Sequence, residues 1–407
     1  MIQPKAFLNV LNKNNIKFFA GVPDSLLKDF CAYIKDNVDK NRNIIAANEG
    51  NAIALAAGHY LATGEIGLVY MQNSGLGNAT NPLLSLVDPM VYNIPVLLLI
   101  GWRGEPGRND EPQHIKQGKV TLGLLEAMEI KYKILPEDEI DMECTVEKAA
   151  RYMAETENPY ALVVSKNTFG GYKLRSIEGT EYELNREDAL RHIVSSIGDN
   201  SATVLTTGKT SGDSNVIVST TGKTSGDSNV IVSTTGKTSR ELFELREELN
   251  QGHERDFLTV GSMGHSLSMA TAIALARPDI GVYCIDGDGA LLMHMGGLAI
   301  TGNLSPKNLK HIVINNGAHD SVGGQPTAGF NIDMQGIAKA SGYKLVLQAE
   351  TKKELSVAID RLKNSTQLGF LEIKVNKGAR DNLGRPTITP IKNKKEFMKF
   401  LRSAGKS

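Results

Sequence analysis

Short runs rich in β-branched and aromatic residues alternate with segments of helical spacing along nearly the whole chain, and that alternation admits few folds. In the first half the runs are KFFAGVP, NIIAAN, IGLVYMQN, VLLLIGW and YALVVSK. In the second they are ATVLTTG, DFLTVGS, GVYCIDGDG, KHIVINNG, YKLVLQA and FLEIKVNKG. Amphipathic helices are expected between them, for example over Ser25–Asn37 and Glu49–Thr63. Strand, helix, strand in repetition builds a parallel sheet covered by helices on both faces. The stretch GGYKLRSIEGTEYELNRED (170–188) breaks the rhythm with charges and few large apolar residues. The expected fold class is therefore α/β, with two doubly wound parallel-sheet domains: residues 1–170, a linker at 171–190, and residues 191–407. Ligands in such sheets gather at the carboxyl ends of the strands, where both GVPD and CIDGDG lie.

Lys plus Arg and Asp plus Glu both number 45, so the chain of 407 residues carries no net charge. Nucleic acid and an anionic membrane surface both call for a basic patch, and neither is an expected partner. An anionic substrate must be met by local cations. Cys31, Cys144 and Cys284 are far apart, which gives no disulfide framework or CxxC metal pair and fits a reducing, cytoplasmic setting. The N-terminal stretch MIQPKAFLNVLNKNNIKFF is interrupted by lysines, unlike a signal peptide. The most apolar run, IPVLLLIGW, is far short of the roughly 20 residues of a membrane helix.

SGDSNVIVSTTGKT occupies residues 211–224 and recurs unchanged at 225–238, just after ATVLTTGKT. Repeats of a solenoid diverge and number three or more, so two identical copies read as a tandem duplication. With 211–238 removed the chain reads VLTTGKTSRELFELREE, a strand, a turn and a helix starting near Ser239. The surplus is expected to form a strand-like excursion or a loop beside the second domain, with VIVS a potential aggregation segment. TTGKT also suggests a nucleotide-binding phosphate loop, as an alternative kind of enzyme. That motif needs a glycine five positions before its Gly-Lys, and Ile217 and Thr203 stand there. A weaker anion contact at the helix start remains open.

The strand VYCI ends on Asp286-Gly287-Asp288-Gly289. A second strand ends on Asn315-Asn316, and Asp288 and Asn316 are 316 − 288 = 28 positions apart. One helix and one strand fill that interval, which puts both side chains at one sheet edge. A carboxylate, a carboxamide and nearby carbonyls form a hard oxygen site for Mg²⁺, which in turn recruits phosphate oxygens. Gly287 and Gly289 let a ligand approach the backbone, and the next helix offers its amides to the same phosphates. Taken alone, Gly-Asp-Gly is also an ordinary helix cap.

GDG followed by NN resembles the thiamine diphosphate motif of the thiamine-dependent decarboxylases. FLTVGSMGHSLSMATAIALARP resembles the rest of their diphosphate-binding domain. FFAGVPDSLL, NEGNAIALAAGHYLATG and NSGLGNATNPLLSLVDPMVYNIPVLLLIGWRG resemble their pyrimidine-binding domain. The resemblance covers nearly the whole chain apart from the duplication, and leaves no room for the central third domain of larger members. Within the family, GWRGEPGRNDEPQH, HDSVGGQPT and GARDNLGRPTITPIKNKKEFM are most similar to the phosphonopyruvate decarboxylases, with the sulfopyruvate decarboxylases as near relatives.

That resemblance implies thiamine diphosphate and Mg²⁺ as cofactors. Asp288, Asn316 and the carbonyl of Ala318 then hold the metal, and Gly261, Ser262, Met263, Gly287, Gly289, Ala290 and Asn316 surround the cofactor. Glu49 matches the glutamate that bonds the aminopyrimidine ring and shares its proton, with His114 and His319 as further proton carriers. The implied substrate is a 2-keto acid bearing a second anionic group, met by Asp24, Ser25, Arg103 and His114. Arg108, Arg380 and Arg385 are additional candidate cations. The implied reaction is decarboxylation of 3-phosphonopyruvate to phosphonoacetaldehyde and CO₂, with 3-sulfopyruvate the alternative substrate. Because Glu49 and Asp288 lie in different domains, the resemblance also implies self-association, with each site formed between subunits.

Overall fold

A computed structural model describes residues 1–175, 179–197 and 229–404 of the chain. It divides into two compact units. The first comprises Met1–Thr180, Leu292–His294 and Gly317–Asn331, and the second Glu181–Leu291, Met295–Asn316 and Ile332–Ser407.

The first unit is built on β1 (Phe18–Gly21), β2 (Asn43–Ile45), β3 (Gly67–Gln72), β4 (Val96–Gly101), β5 (Lys131–Ile134) and β6 (Tyr160–Val164). They form one sheet in the order β2-β1-β3-β4-β6-β5, every pairing parallel. Successive residues of a strand point to opposite faces, and two cores follow from that. Phe19, Leu68, Tyr70, Leu97 and Leu99 pack with Phe7, Phe30 and Met153 on one side. Phe18, Ala20, Val69, Met71 and Leu98 pack with Ile53, Ala56 and Leu83 on the other. β5 was absent from the expected strands. Its burial is slight, so KYKI shows little apolar signal.

Helix Glu49–Thr63 has the bounds its sequence suggests. The Asn48 side chain caps it by accepting from the Asn51 N–H at 2.9 Å, and Gly64 ends it at φ 72°. The strand order reverses direction between β1 and β3. A crevice for ligands opens at such a switch point, beyond the carboxyl ends of the strands.

The second unit carries β7 (Val230–Ser233), β8 (Asp256–Leu258), β9 (Val282–Gly287), β10 (Leu309–Asn315), β13 (Leu345–Ala349) and β14 (Gly369–Lys374). Their order is β13-β14-β10-β9-β7-β8, again all parallel. The short strands β11 (Ala318–His319) and β12 (Gln325–Pro326) pair separately as an antiparallel ribbon, which the sequence reading did not anticipate.

One expectation needs correction. Part of the repeat read as surplus is structural: Val230–Ser233 of the second copy is β7, hydrogen-bonded between β8 and β9 and wholly buried. Lys237 and Thr238 of the same copy open helix Lys237–Glu248. The first copy, at 211–224, and the expected strand ATVLTTG lie outside the described residues. A four-residue apolar strand inside one of two identical copies carries no mark of which copy is used.

Arg246 on helix Lys237–Glu248 grips Asp256 of β8 with two hydrogen bonds of 2.8 Å, both partners buried. Losing one member of such a pair typically costs about 3–5 kcal/mol.

Candidate active site

In the first unit, β1 runs out into Val22-Pro23-Asp24 and β4 into Trp102-Arg103. Asp24 is buried; its Oδ2 accepts from the Leu26 N–H at 2.7 Å, while Oδ1 has no hydrogen-bond partner. A Cβ at Gly101 would stand 2.3 Å from Asp24 Oδ2, so β4 must end on glycine for the carboxyl to fit. Burial pushes the Asp24 carboxyl above its usual range, against the backbone N–H of Leu26 and the charge of Arg103.

The Arg103 guanidinium is forked onto Asp110, with Nε donating to Oδ2 at 2.8 Å and Nη2 to Oδ1 at 2.5 Å. Its Nη1 donates to Ser25 Oγ at 2.7 Å. Burial raises the Asp110 carboxyl, but the Arg103 hydrogen bonds and the N–H groups of Glu111 and Gly104 outweigh it and hold the group well below the usual range. Arg103 thus positions Ser25 while sharing its charge with Asp110, where the sequence suggested a cation kept for the substrate.

Asn73 fixes the Arg103 backbone from both sides: its Oδ1 accepts from Arg103 N at 3.2 Å, and its Nδ2 donates to Arg103 O at 2.8 Å. Gly104, at φ 71°, sits flush on the first turn of helix Pro112–Ala127, where a Cβ would come 1.9 Å from the His114 carbonyl oxygen. Asp24, Ser25, Arg103 and the His114 backbone therefore form one neighbourhood. Arg108 lies at its outer edge, paired with Glu105 at 3.0 Å and half exposed.

Glu49 occupies the first turn of its helix and is buried. Asn78 Nδ2 donates to its Oε2 at 2.8 Å. Gly75 closes the other side, where a Cβ would fall 2.5 Å from Oε1. The carboxylate is thus held at a fixed place by a donor and by a missing side chain. The ribbon β11–β12 belongs to the same unit. Burial pushes the His319 imidazole down to about 4, against the pull of Asp320, so it is neutral near pH 7.

In the second unit, β9 and β10 run side by side with Gly287 opposite Ile314. Continuing that register brings Asp288 and Asn316 to the carboxyl ends of adjacent strands, both buried. Asp288 opens helix Asp288–Met293, and Gly289 and Ala290 follow in its first turn. Neighbouring Asn315 is fixed by donating to Glu372 Oε1 at 2.7 Å. A Cβ at Gly287 would meet nothing within 4 Å, which leaves the backbone beside Asp288 open to a ligand. The oxygen donors suit Mg²⁺, so these residues fit a metal-bound diphosphate.

Gly261, Ser262 and Met263 form the turn after β8, with Ser262 in the left-handed region at φ 54° and Met263 half-buried. The TTGKT turn ends β7, the strand next to β9, and its hydroxyl neighbour Ser239 is spent on the Thr234 carbonyl at 2.6 Å. Arg380 is engaged by Glu187, Glu244 and Asn382. Asn78, Asp110 and Asn73, which hold the functional groups in place, escaped the sequence reading. Each acts from a loop or helix end where no periodicity marks it.

A model of the C-terminal binding domain of thiamine pyrophosphate enzymes matches residues 235–373, and one of their N-terminal binding domain matches residues 4–122. The chain is 31% identical to a phosphonopyruvate decarboxylase of Streptomyces viridochromogenes over 94% of this chain and 90% of the relative. It is 30% identical to a phosphonopyruvate decarboxylase of Streptomyces hygroscopicus, covering 98% and 94%. A sulfopyruvate decarboxylase of Methanosarcina acetivorans is 27% identical, covering 97% and 96%. With both binding domains matched in order and relatives aligned along nearly their full length, the chain belongs to the thiamine pyrophosphate-dependent decarboxylases.

Proposed function

We propose that this enzyme decarboxylates 3-phosphonopyruvate to phosphonoacetaldehyde and CO₂ in the cytoplasm, as a step of phosphonate formation, using thiamine diphosphate and Mg²⁺. Among the described residues no helix is long and apolar enough to cross a membrane. The observation that carries the chemistry is the pairing of Asp288 and Asn316 at adjacent strand ends with Glu49 wedged between Asn78 and Gly75. Asp288, Asn316 and the Ala318 carbonyl hold the metal, and Glu49 faces the pyrimidine ring. Thiamine diphosphate supplies an electron sink for the pair released as CO₂ departs. Glu49 holds the proton that activates the ring. Ser25, set by Arg103, and the buried carboxyl of Asp24 orient the keto acid. His319 and His114, both in the first unit, are the candidate proton carriers.

The choice of phosphonate is supported by the two near-full-length relatives of that name, and the sulfopyruvate relative supports 3-sulfopyruvate as the second reading. We further propose that two copies are the minimum working unit, each site drawing Glu49 from one and Asp288 from the other. Release of CO₂ from phosphonopyruvate, sulfopyruvate and pyruvate, each with thiamine diphosphate and Mg²⁺ added, tests the reading. Phosphonopyruvate is expected to have the highest kcat/KM. Faster turnover of sulfopyruvate selects the second reading, and turnover of none of the three refutes both.

A further inference from the structure

Gln325 has no place in the chemistry above, and among the described residues of the first unit it is the side chain with both polar ends buried and unpaired. The residue is wholly buried, yet neither its Nε2 nor its Oε1 has a hydrogen-bond partner. Leaving one buried polar group unpaired costs roughly 1–3 kcal/mol, and a carboxamide with both ends unpaired stands out against that cost.

Its position is set by the ribbon. β12 pairs antiparallel with β11, and Gln325 lies directly opposite His319. Directly opposed residues project from the same face, so the Gln325 and His319 side chains leave the ribbon on the same side. Gly323 and Gly324, at φ 112° and 75°, make the turn that brings the strand back. A Cβ at Gly323 would lie 3.0 Å from Gln325 Nε2, 3.2 Å from its Oε1 and 3.4 Å from Lys28 Cβ. The carboxamide is thus tucked under glycine backbone, next to the start of helix Lys28–Asn37. That helix follows directly on Asp24 and Ser25.

A carboxamide both donates and accepts. Its best complement is a group that also does both. A phosphonate near neutral pH exists partly as the monoprotonated anion, with P–O⁻ acceptors and one P–OH donor, since the second ionisation of such groups falls close to physiological pH. A sulfonate is fully ionised and has acceptors only, which would leave Oε1 unpaired.

We propose that Gln325 reads the head group of the substrate, its Nε2 donating to a P–O⁻ oxygen and its Oε1 accepting from the P–OH. This rests on the keto-acid reading above and deepens it: Gln325 becomes the residue that favours a phosphonate over a sulfonate. Discrimination of this kind is largest where the wrong ligand strands a buried polar group.

The test compares wild-type holoenzyme with Gln325→Met, an apolar side chain of similar length, using thermal unfolding with and without 3-phosphonopropionate or 3-sulfopropionate. Neither probe has a keto group, so the result does not depend on turnover. Wild type is expected to be stabilised more by the phosphonate, and Gln325→Met to lose that difference. Without ligand, Gln325→Met should unfold at the same temperature or higher, because it buries nothing unpaired. In turnover, KM for phosphonopyruvate should rise roughly ten- to hundredfold with kcat little changed, and KM for sulfopyruvate should move much less.

Equal shifts from the two probes in wild type, or a difference that survives in Gln325→Met, overturn the assignment. So does a fall of several degrees in the unliganded variant, which marks Gln325 as a structural residue. If the probes discriminate as expected while wild type decarboxylates no keto acid, the head-group site stands and the proposed reaction falls.

Discussion

Glu49 owes its place to Asn78 and Gly75 more than to its own helix. Asn78 holds one carboxylate oxygen at 2.8 Å, and the absent side chain of Gly75 leaves room for the other. Two substitutions separate the acid from its position. Glu49→Gln keeps the shape and removes the ionisable group; turnover is expected to fall roughly 10²–10⁴-fold with cofactor affinity nearly unchanged. Gly75→Ala keeps the acid but sets a methyl 2.5 Å from its oxygen, so the carboxylate must move. A displacement near 1 Å can cost roughly 10²-fold, and stopped-assay kcat with calorimetric cofactor binding checks both variants. Normal turnover in Gly75→Ala would show that the carboxylate tolerates the shift and needs no fixed seat. At this scale the sequence was legible where a residue ends a strand or opens a helix, as Asp288, Asn316 and Glu49 do. It was silent on Asn78, Asp110 and Gln325, whose roles come from chain segments that meet only after folding.

β7 shows the same limit among elements. The alternation of apolar runs foretold most strands of both sheets, because a buried strand cannot hide its Val, Ile and Leu. It misassigned VIVS, since an identical copy stands 14 residues upstream and local sequence cannot choose between them. The structure gives the choice energetic consequences. Deleting 211–224 leaves VIVSTTGKTSRELF, and with it the sequence of β7 and of the helix that follows, unchanged. Stability and activity should stay near wild type.

Deleting 211–238 instead presents ATVLTTGKTSRELF, and alignment on TTGKTS puts Thr203 where Ile231 was and Leu205 where Ser233 was. Ile231 is buried among apolar neighbours, and Ser233 Oγ shares a 2.8 Å hydrogen bond with Ser239 Oγ. A hydroxyl in the first place and an oversized leucine in the second should together cost about 2 kcal/mol or more. Thermal unfolding should show the longer deletion melting at least roughly 5 °C lower. Equal melting of the two chains would mean that β7 accepts either sequence and that its packing is not selective.

For the whole molecule, the decisive fact is that Glu49 belongs to the first unit and Asp288 to the second. Each unit has its own sheet and its own pair of cores, so each side chain is held by local packing whichever copy completes the site. If sites close between copies, two inactive variants can repair one another. A pairing of Glu49→Gln with Asp288→Asn gives one site carrying both defects and one carrying neither. With free assortment about half of all dimers are mixed, so co-expression of the two variants should restore about a quarter of wild-type activity per site. Each variant alone should stay inactive, and tandem affinity purification through two different tags should raise the recovered activity toward one half. A site built from a single chain gives no recovery under any mixing, because every copy then keeps its own defect. Recovery therefore depends on which chain completes the site and separates the two architectures without reference to the substrate, since any keto acid that wild type turns over will serve.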